Sequence, residues 1–286
     1  MQSRCFVRAL PNSEAGSYWS GSDPKRKNAG GTLHHCGASV LIKFGTKYKL
    51  PLCGASLRVY FLINISASKV NMQCFARWEK DDASGVLFRD QTILQFGNNW
   101  DLLASFILLN PGSALPLNHE SKTEYLRSKK LPYFVEPKAG ESYLEFSIDR
   151  LMRDVLKLFS THYDGGSIRL HNLFNLKNQN SGEALTQFEK NKEHPKMFSS
   201  ESEIKFCGAP VIVASGDNAA GTELKIQLIK HIQLAPNESL YALGRKDSTK
   251  FHFKKAEADA SDFVRSYHPS YTFKYGNSTE IGDLGE

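Results

Sequence analysis

Four short strand-like stretches, each ended abruptly by turn residues, constrain the fold of this chain more than any other feature. Phe106-Ile107-Leu108-Leu109 stops at Asn110-Pro111-Gly112-Ser113, and Ile168-Arg169-Leu170-His171-Asn172-Leu173-Phe174 breaks at Asn175. Pro210-Val211-Ile212-Val213-Ala214 stops at Ser215-Gly216-Asp217-Asn218, and Ser239-Leu240-Tyr241-Ala242-Leu243 ends at Gly244. The unbroken run from Phe106 to Leu109 suits a strand buried on both faces, and the other three stretches are read as strands beside it. Between them Ile148, Leu151, Met152, Val155 and Phe159 predict a helix over about 143–160, and Leu224, Leu228, Ile229 and Ile232 predict another, capped by Thr222. Alternating strands and helices imply an α/β fold, a three-layer α/β/α sandwich around a mainly parallel sheet. Ligands bind such a sheet beyond the carboxyl ends of its strands, where the polar clusters fall.

The flanking regions read differently. Residues 1–32 are rich in Ser, Gly, Asn, Pro and Lys without periodicity, and predict a flexible basic arm. Residues 33–73 carry two apolar stretches, Ser39 to Phe44 and Leu57 to Ile63, and predict a small β-rich accessory element. The main domain is expected over 74–286, opening with a β-rich lead-in from Cys74 to Phe96 that turns at Asp81-Asp82-Ala83-Ser84-Gly85. Residues 177–205 form a polar insertion.

Charge and cysteine usage narrow the class. A net charge of +6 favours a polyanionic partner without requiring one. The five cysteines, Cys5, Cys36, Cys53, Cys74 and Cys207, are odd in number and contain no CxxC pair, which argues against a disulfide framework. His34, His35 and Cys36 with Cys53 fit no zinc spacing, so neither metal nor cofactor is expected. No leader-like segment or run of about 20 apolar residues occurs, which predicts a cytoplasmic chain without membrane contact, expected as a monomer. Neither Gly-x-Gly-x-x-Gly after the first strand nor a Gly-Lys-Ser/Thr loop is present, which excludes the common nucleotide-phosphate motifs.

Leu109-Asn110-Pro111-Gly112-Ser113 resembles the water-positioning motif of the mismatch-specific branch of the uracil-DNA glycosylase superfamily, and Tyr267-His268-Pro269-Ser270-Tyr271 resembles the His-Pro-Ser motif of its uracil-specific branch. Asn172-Leu173-Phe174-Asn175 is similar to the strand end that presents an asparagine to the base. Ser215-Gly216-Asp217-Asn218-Ala219 resembles a Trp-Gly-x-x-Ala turn with Ser in place of Trp. The same order of signals resembles an uncharacterised bacterial and phage family over roughly residues 74–275.

The resemblance implies a DNA glycosylase that flips a base out of DNA and cuts its N-glycosidic bond. Asn110 would orient the water and His268 would donate a hydrogen bond to the leaving base. Asn172 or Asn175, with Asn175 preferred, would read the base edge, and Phe174 would stack on the ring or simply pack in the core. Pro111, Gly112, Ser113, Ser270 and Tyr271 complete the implied substrate contacts. The uracil-specific branch closes its pocket with a tyrosine after the first motif. Gly112-Ser113-Ala114 offers no such bulk here, so a C5-substituted pyrimidine is expected, including a hypermodified phage cytosine. Host repair of uracil or thymine mismatches, a non-catalytic DNA- or nucleotide-binding protein on the same fold, and hydrolysis of a free nucleoside or nucleotide are the alternatives.

Residues 245–274 hold seven basic against four acidic side chains and predict a basic loop. Lys250, Lys254, Lys255 and Arg265 there would grip DNA phosphates, while Tyr271 or Phe273 fills the vacated stack.

Overall fold

The computed structural model describes residues 45–48, 57–60, 71–258, 262–272 and 277–285. The predicted arm, the Ser39 to Phe44 stretch and Phe273 lie outside the described residues. The chain divides into two units, 1–66 and 67–286. In the first, β1 (Gly45–Tyr48) pairs antiparallel with β2 (Leu57–Tyr60).

The second unit opens with β3 (Met72–Lys80), β4 (Leu87–Phe96), β5 (Leu102–Leu108) and β6 (Pro116–Ser121). It continues through α1 (Thr123–Ser128), β7 (Tyr143–Phe146), α2 (Arg150–Ser160), β8 (Gly166–Asn172) and α3 (Ser181–Asn191). It ends with β9 (Val211–Val213), α4 (Thr222–Leu234), β10 (Leu240–Arg245), β11 (Lys250–Lys255), α5 (Pro269–Thr272) and β12 (Ser278–Glu280).

One sheet runs β12-β11-β10-β9-β5-β8-β4-β3-β7-β6. The four strands read from the apolar runs form its parallel centre, β8-β5-β9-β10. The expectation of a mainly parallel sheet is corrected, because five of the nine strand pairings are antiparallel. The reason is that the β-rich lead-in is no separate element: β4 joins β8 antiparallel, and β3, β7 and β6 extend the sheet beyond it. The Asp81 carboxylate accepts from the N–H groups of Ala83 and Ser84 and so builds the β3-β4 turn from its own side chain.

Strand pleating sorts the core. Ala104, Phe106 and Leu108 of β5 join Met152, Val155, Leu156 and Phe159 of α2 in one cluster. Ile107 of β5 and Val211 and Val213 of β9 join Ala184 and Phe188 of α3 and Leu224 and Leu228 of α4 in another. Each such large side chain contributes about 1.5–3 kcal/mol by leaving water. Two predicted helices shift. Helix α2 starts at Arg150 because the Asp149 carboxylate accepts from Met152 N at 2.9 Å, and Tyr143–Phe146 is strand β7 instead. Helix α4 has Gly221 as its N-cap, so Thr222 is its first residue and not its cap. The polar insertion contains α3, capped by Asn180, whose side chain accepts from Gly182 N and Glu183 N.

Candidate functional site

Helix α2 packs on the face of the sheet that carries Phe106 and Leu108 of β5, and α3 and α4 pack on the other, while the chain itself leaves β5 for β6 at the edge of the sheet. Asn110 stands two residues beyond the carboxyl end of β5. Its Nδ2 donates to the carbonyls of Pro111 and Asn178, both at 2.9 Å, and Asn178 N returns a bond to Pro111 O at 3.2 Å. Both hydrogens of the Asn110 amide are therefore spent on backbone. Its Oδ1 accepts no hydrogen bond among the described residues, and the side chain is half-buried. Gly112 closes on α2: a Cβ there would stand 3.1 Å from Asp149 Oδ2. Pro111 is buried and Ser113 exposed, so Ser113 forms a lip.

The His-Pro-Ser segment reaches the same edge. Tyr267 N donates to Leu243 O of β10 at 2.8 Å, and Gly216 N donates to Ser266 Oγ at 3.4 Å. Gly216 has φ +75°, and a Cβ there would meet His268 Cβ at 3.1 Å, so only glycine seats this segment without displacement. Ser270 N donates to His268 Nδ1 at 3.2 Å, and Ser270 Oγ lies 2.8 Å from the same nitrogen. A backbone N–H can only donate, so Nδ1 is an acceptor and the neutral ring carries its proton on Nε2. Tyr271 is 61% exposed beside it.

The third motif divides. Leu173 N and Phe174 N bond to Leu108 O and Leu109 O, which ties the end of β8 to the start of the Asn110 loop. Asn172 is buried at the end of β8. Phe174 is fully buried with its ring centroid 5.0 Å from that of Phe188, so the core-packing reading holds and stacking on a base is corrected: the apolar cluster under α3 takes the ring. Asn175, 2% exposed, donates from Nδ2 to Lys196 O at 3.1 Å and to Ser199 Oγ at 3.4 Å. Its Oδ1 has no partner.

Asn175 lines a cleft of about 250 Å³ with Arg77, Asp90, Lys138, Ser199 and Glu203 among the other walls. Sequence reasoning missed this charged group. Register places Arg77 of β3 opposite Asp90 of β4. Arg77 Nε donates to Asp90 Oδ1 at 2.8 Å, Nη2 to Glu203 Oε1 at 2.7 Å, and Nη1 lies 2.9 Å from Glu141 Oε2. Burial pushes the Asp90 carboxyl above its ordinary range, with Arg77 opposing. Burial works the same way on Glu203, yet Ser200 and Arg77 together hold it down to about 2. No short motif marks these residues, since Arg77 and Glu203 are 126 positions apart.

The basic loop is corrected. Residues 250–255 are strand β11, because Phe251 and Phe253 alternate with polar residues and bury in the core against α2 and β12 neighbours. Lys250 lies by the turn at the carboxyl edge, whereas Lys254 and Lys255 pair with Ala242 and Tyr241 near the start of β10. Lys255 Nζ donates to Glu238 O and lies 4.3 Å from the centroid of the Tyr241 ring. Arg265 is exposed just before the His-Pro-Ser segment. Lys254 and Lys255 are thus not assembled with Asn110 and His268.

Among the described residues no group of three or more His, Cys, Asp or Glu could hold a metal ion, and no helix is long and apolar enough to cross a membrane. Cys74 is a buried free thiol and Cys207 an exposed one, while Cys5, Cys36, Cys53, His34 and His35 lie outside the described residues. Comparison with family models, with curated proteins and with solved structures finds no match to this chain.

Proposed function

We propose that this protein is a DNA glycosylase that releases a flipped, C5-substituted pyrimidine by hydrolysis of its N-glycosidic bond. The observation that carries the reading is the arrangement at one sheet edge: Asn110 with a spare amide oxygen, and His268 with its ring proton on Nε2. The order β8-β5-β9-β10, with α2 on one face and α3 and α4 on the other, supports a glycosylase-type three-layer core within the larger sheet.

In this reading Asn110 Oδ1 accepts a hydrogen from water and turns the water oxygen toward C1′ of the deoxyribose. The new C1′–O bond forms as the bond from C1′ to the base nitrogen breaks, and the base leaves with the electron pair. His268 Nε2–H donates a hydrogen bond to the base oxygen where that charge gathers. The water proton passes to solvent, and the base takes a proton from solvent. Exposed Ser113 beside Gly112 leaves room for a substituent at C5, consistent with a hypermodified phage cytosine and a role in antiphage defence.

Duplexes carrying uracil, a thymine mismatch or glucosylated hydroxymethylcytosine, incubated with the protein and then heated in alkali, test this. Strand breaks at the modified cytosine are expected. Breaks at uracil or thymine alone would make it a repair enzyme. Intact strands throughout would leave a non-catalytic binding protein.

A further inference from the structure

Near the Asn110 loop two cations stand without a bonded counter-ion. Arg89 of β4 is 2% exposed, and its Nε and Nη1 have no hydrogen-bond partner. The buried Nε1 of Trp78 has none either, and the Trp78 ring centroid lies 5.5 Å from the Arg89 guanidinium carbon, with that of Phe146 at 5.0 Å. Aromatic rings favour a cation over their faces, but they leave its N–H groups without acceptors. Lys177 is the second cation. Arg89 N donates to Asn175 O at 2.9 Å, Lys177 N donates to Leu87 O at 2.8 Å, and Phe88 bridges Leu176 antiparallel, so Arg89 and Lys177 are diagonal neighbours. Neither side chain enters a hydrogen bond or a salt bridge among the described residues. Burial pushes the Arg89 guanidinium down to about 10, with Asp149 opposing. Burial also lowers the half-buried Lys177 ammonium, and the like charge of Arg89 adds to it.

Two contacts tie these cations to the Asn110 loop. Lys177 precedes Asn178, whose carbonyl accepts from Asn110 Nδ2 and whose N–H donates to Pro111 O. Asp149, the acid that acts most on Arg89, has its Oδ2 3.1 Å from where a Gly112 Cβ would stand, while its Oδ1 accepts from Met152 N. One carboxylate thus answers two positive charges, and it bonds neither. A buried cation with unsatisfied donors is destabilising, and an anion that accepts from them relieves the cost. We infer that Arg89 and Lys177 form an anion subsite beside the Asn110 loop and that its ligand is a phosphate group. A guanidinium offers its N–H groups in a fixed planar fork that fits phosphate oxygens, and a lysine adds a point charge. Two charges with several donors match a phosphate better than a carboxylate. Two sources offer that group: a free phosphate ester, and the strand backbone beside a flipped nucleotide, which rests on the glycosylase reading.

The test is urea unfolding of the full chain, followed by tryptophan fluorescence, in sodium phosphate and in sodium chloride of equal ionic strength and pH. Phosphate is expected to raise the wild-type midpoint in a saturable way, which gives an apparent dissociation constant. That constant should rise roughly ten- to a hundredfold in Lys177→Ala, the range for one lost hydrogen bond to a charged group. Arg89→Met should abolish the phosphate effect. If Arg89→Met does not fold, Lys177→Ala decides alone. The source is read by fluorescence polarisation with a single-stranded oligonucleotide carrying 5-hydroxymethylcytosine, its flanking phosphates intact or replaced by neutral methylphosphonates. A strand source makes the replacement weaken binding to wild type much more than to Lys177→Ala. Equal weakening in both, with the phosphate effect on unfolding intact, assigns the subsite to a free phosphate ester. Equal midpoints in phosphate and chloride, or a phosphate effect unchanged in Lys177→Ala or in folded Arg89→Met, overturns the inference. The expected phosphate effect with no base release from any duplex overturns the glycosylase reading and leaves the subsite standing.

Discussion

Ser270 holds His268 from two sides, its backbone N–H donating to Nδ1 at 3.2 Å and its hydroxyl oxygen 2.8 Å from the same nitrogen. The pair fixes both the tautomer and the direction of the ring. His268→Ala is expected to lower the single-turnover rate of base release by about 2–4 kcal/mol of barrier, the size of one lost oxyanion donor. Ser270→Ala keeps the backbone contact and should cost clearly less. A Ser270→Ala loss equal to that of His268→Ala would show that the hydroxyl acts by itself.

Asn110 differs from an aspartate in a way the structure makes concrete. Its Nδ2 bonds the Pro111 and Asn178 carbonyls, so Asn110→Asp would set a carboxylate oxygen against two carbonyl oxygens. Asn110→Ala is expected to abolish base release and to lose about 1–3 kcal/mol of stability for the two bonds. Asn110→Asp should destabilise at least as much and should not speed the reaction. Urea unfolding together with the alkali assay checks both, and a faster Asn110→Asp enzyme would remove the anchoring role.

The placement of the lysines on β11 separates their contributions. Lys250 lies at the carboxyl edge, and Lys254 and Lys255 lie about 14–17 Å further along the strand. Lys250→Ala should reduce the slope of log affinity for duplex DNA against log salt by about 0.9, one phosphate contact. Joint replacement of Lys254 and Lys255 should leave the slope unchanged. The reverse result would put the DNA across the opposite end of the sheet.

Two buried histidines make stability depend on pH. His171 of β8 and His231 of α4 have ring centroids 6.3 Å apart, and Nε2 of each lacks a partner. Burial holds His171 well below its ordinary pKa, with Arg169 and His231 adding repulsion. The unfolded chain binds this proton more readily than the folded one, so the stability is present above about pH 6.5 and falls as pH drops below it. Stability should therefore be lower at pH 5.5 than at pH 8. Urea midpoints at the two pH values check this, and His171→Phe should flatten the difference. An unchanged pH dependence in that variant would assign it elsewhere.

The sequence by itself determined what depends on near neighbours. Short apolar stretches located β5, β9 and β10, the stretch from Ile168 to Phe174 located β8 although Arg169 and His171 alternate with its apolar residues, and period 3.6 located α2 and α4. Turn chemistry marked Asn110-Pro111-Gly112 and Gly216 at strand ends. Strand β7 escaped because four residues directly before a helix cap are too few to show a period. Strand β11 was hidden because three of its six residues are lysines and only Phe251 and Phe253 carry its alternation. Only the tertiary structure decided that Arg77, Asp90, Glu141 and Glu203 meet, that Asn175 spends its donor on Lys196, and that Phe174 belongs to the core. Pairing register and packing bring these groups together across distant stretches of chain, and a charged or amide side chain carries no mark of its partner until the backbone has fixed which groups it can reach.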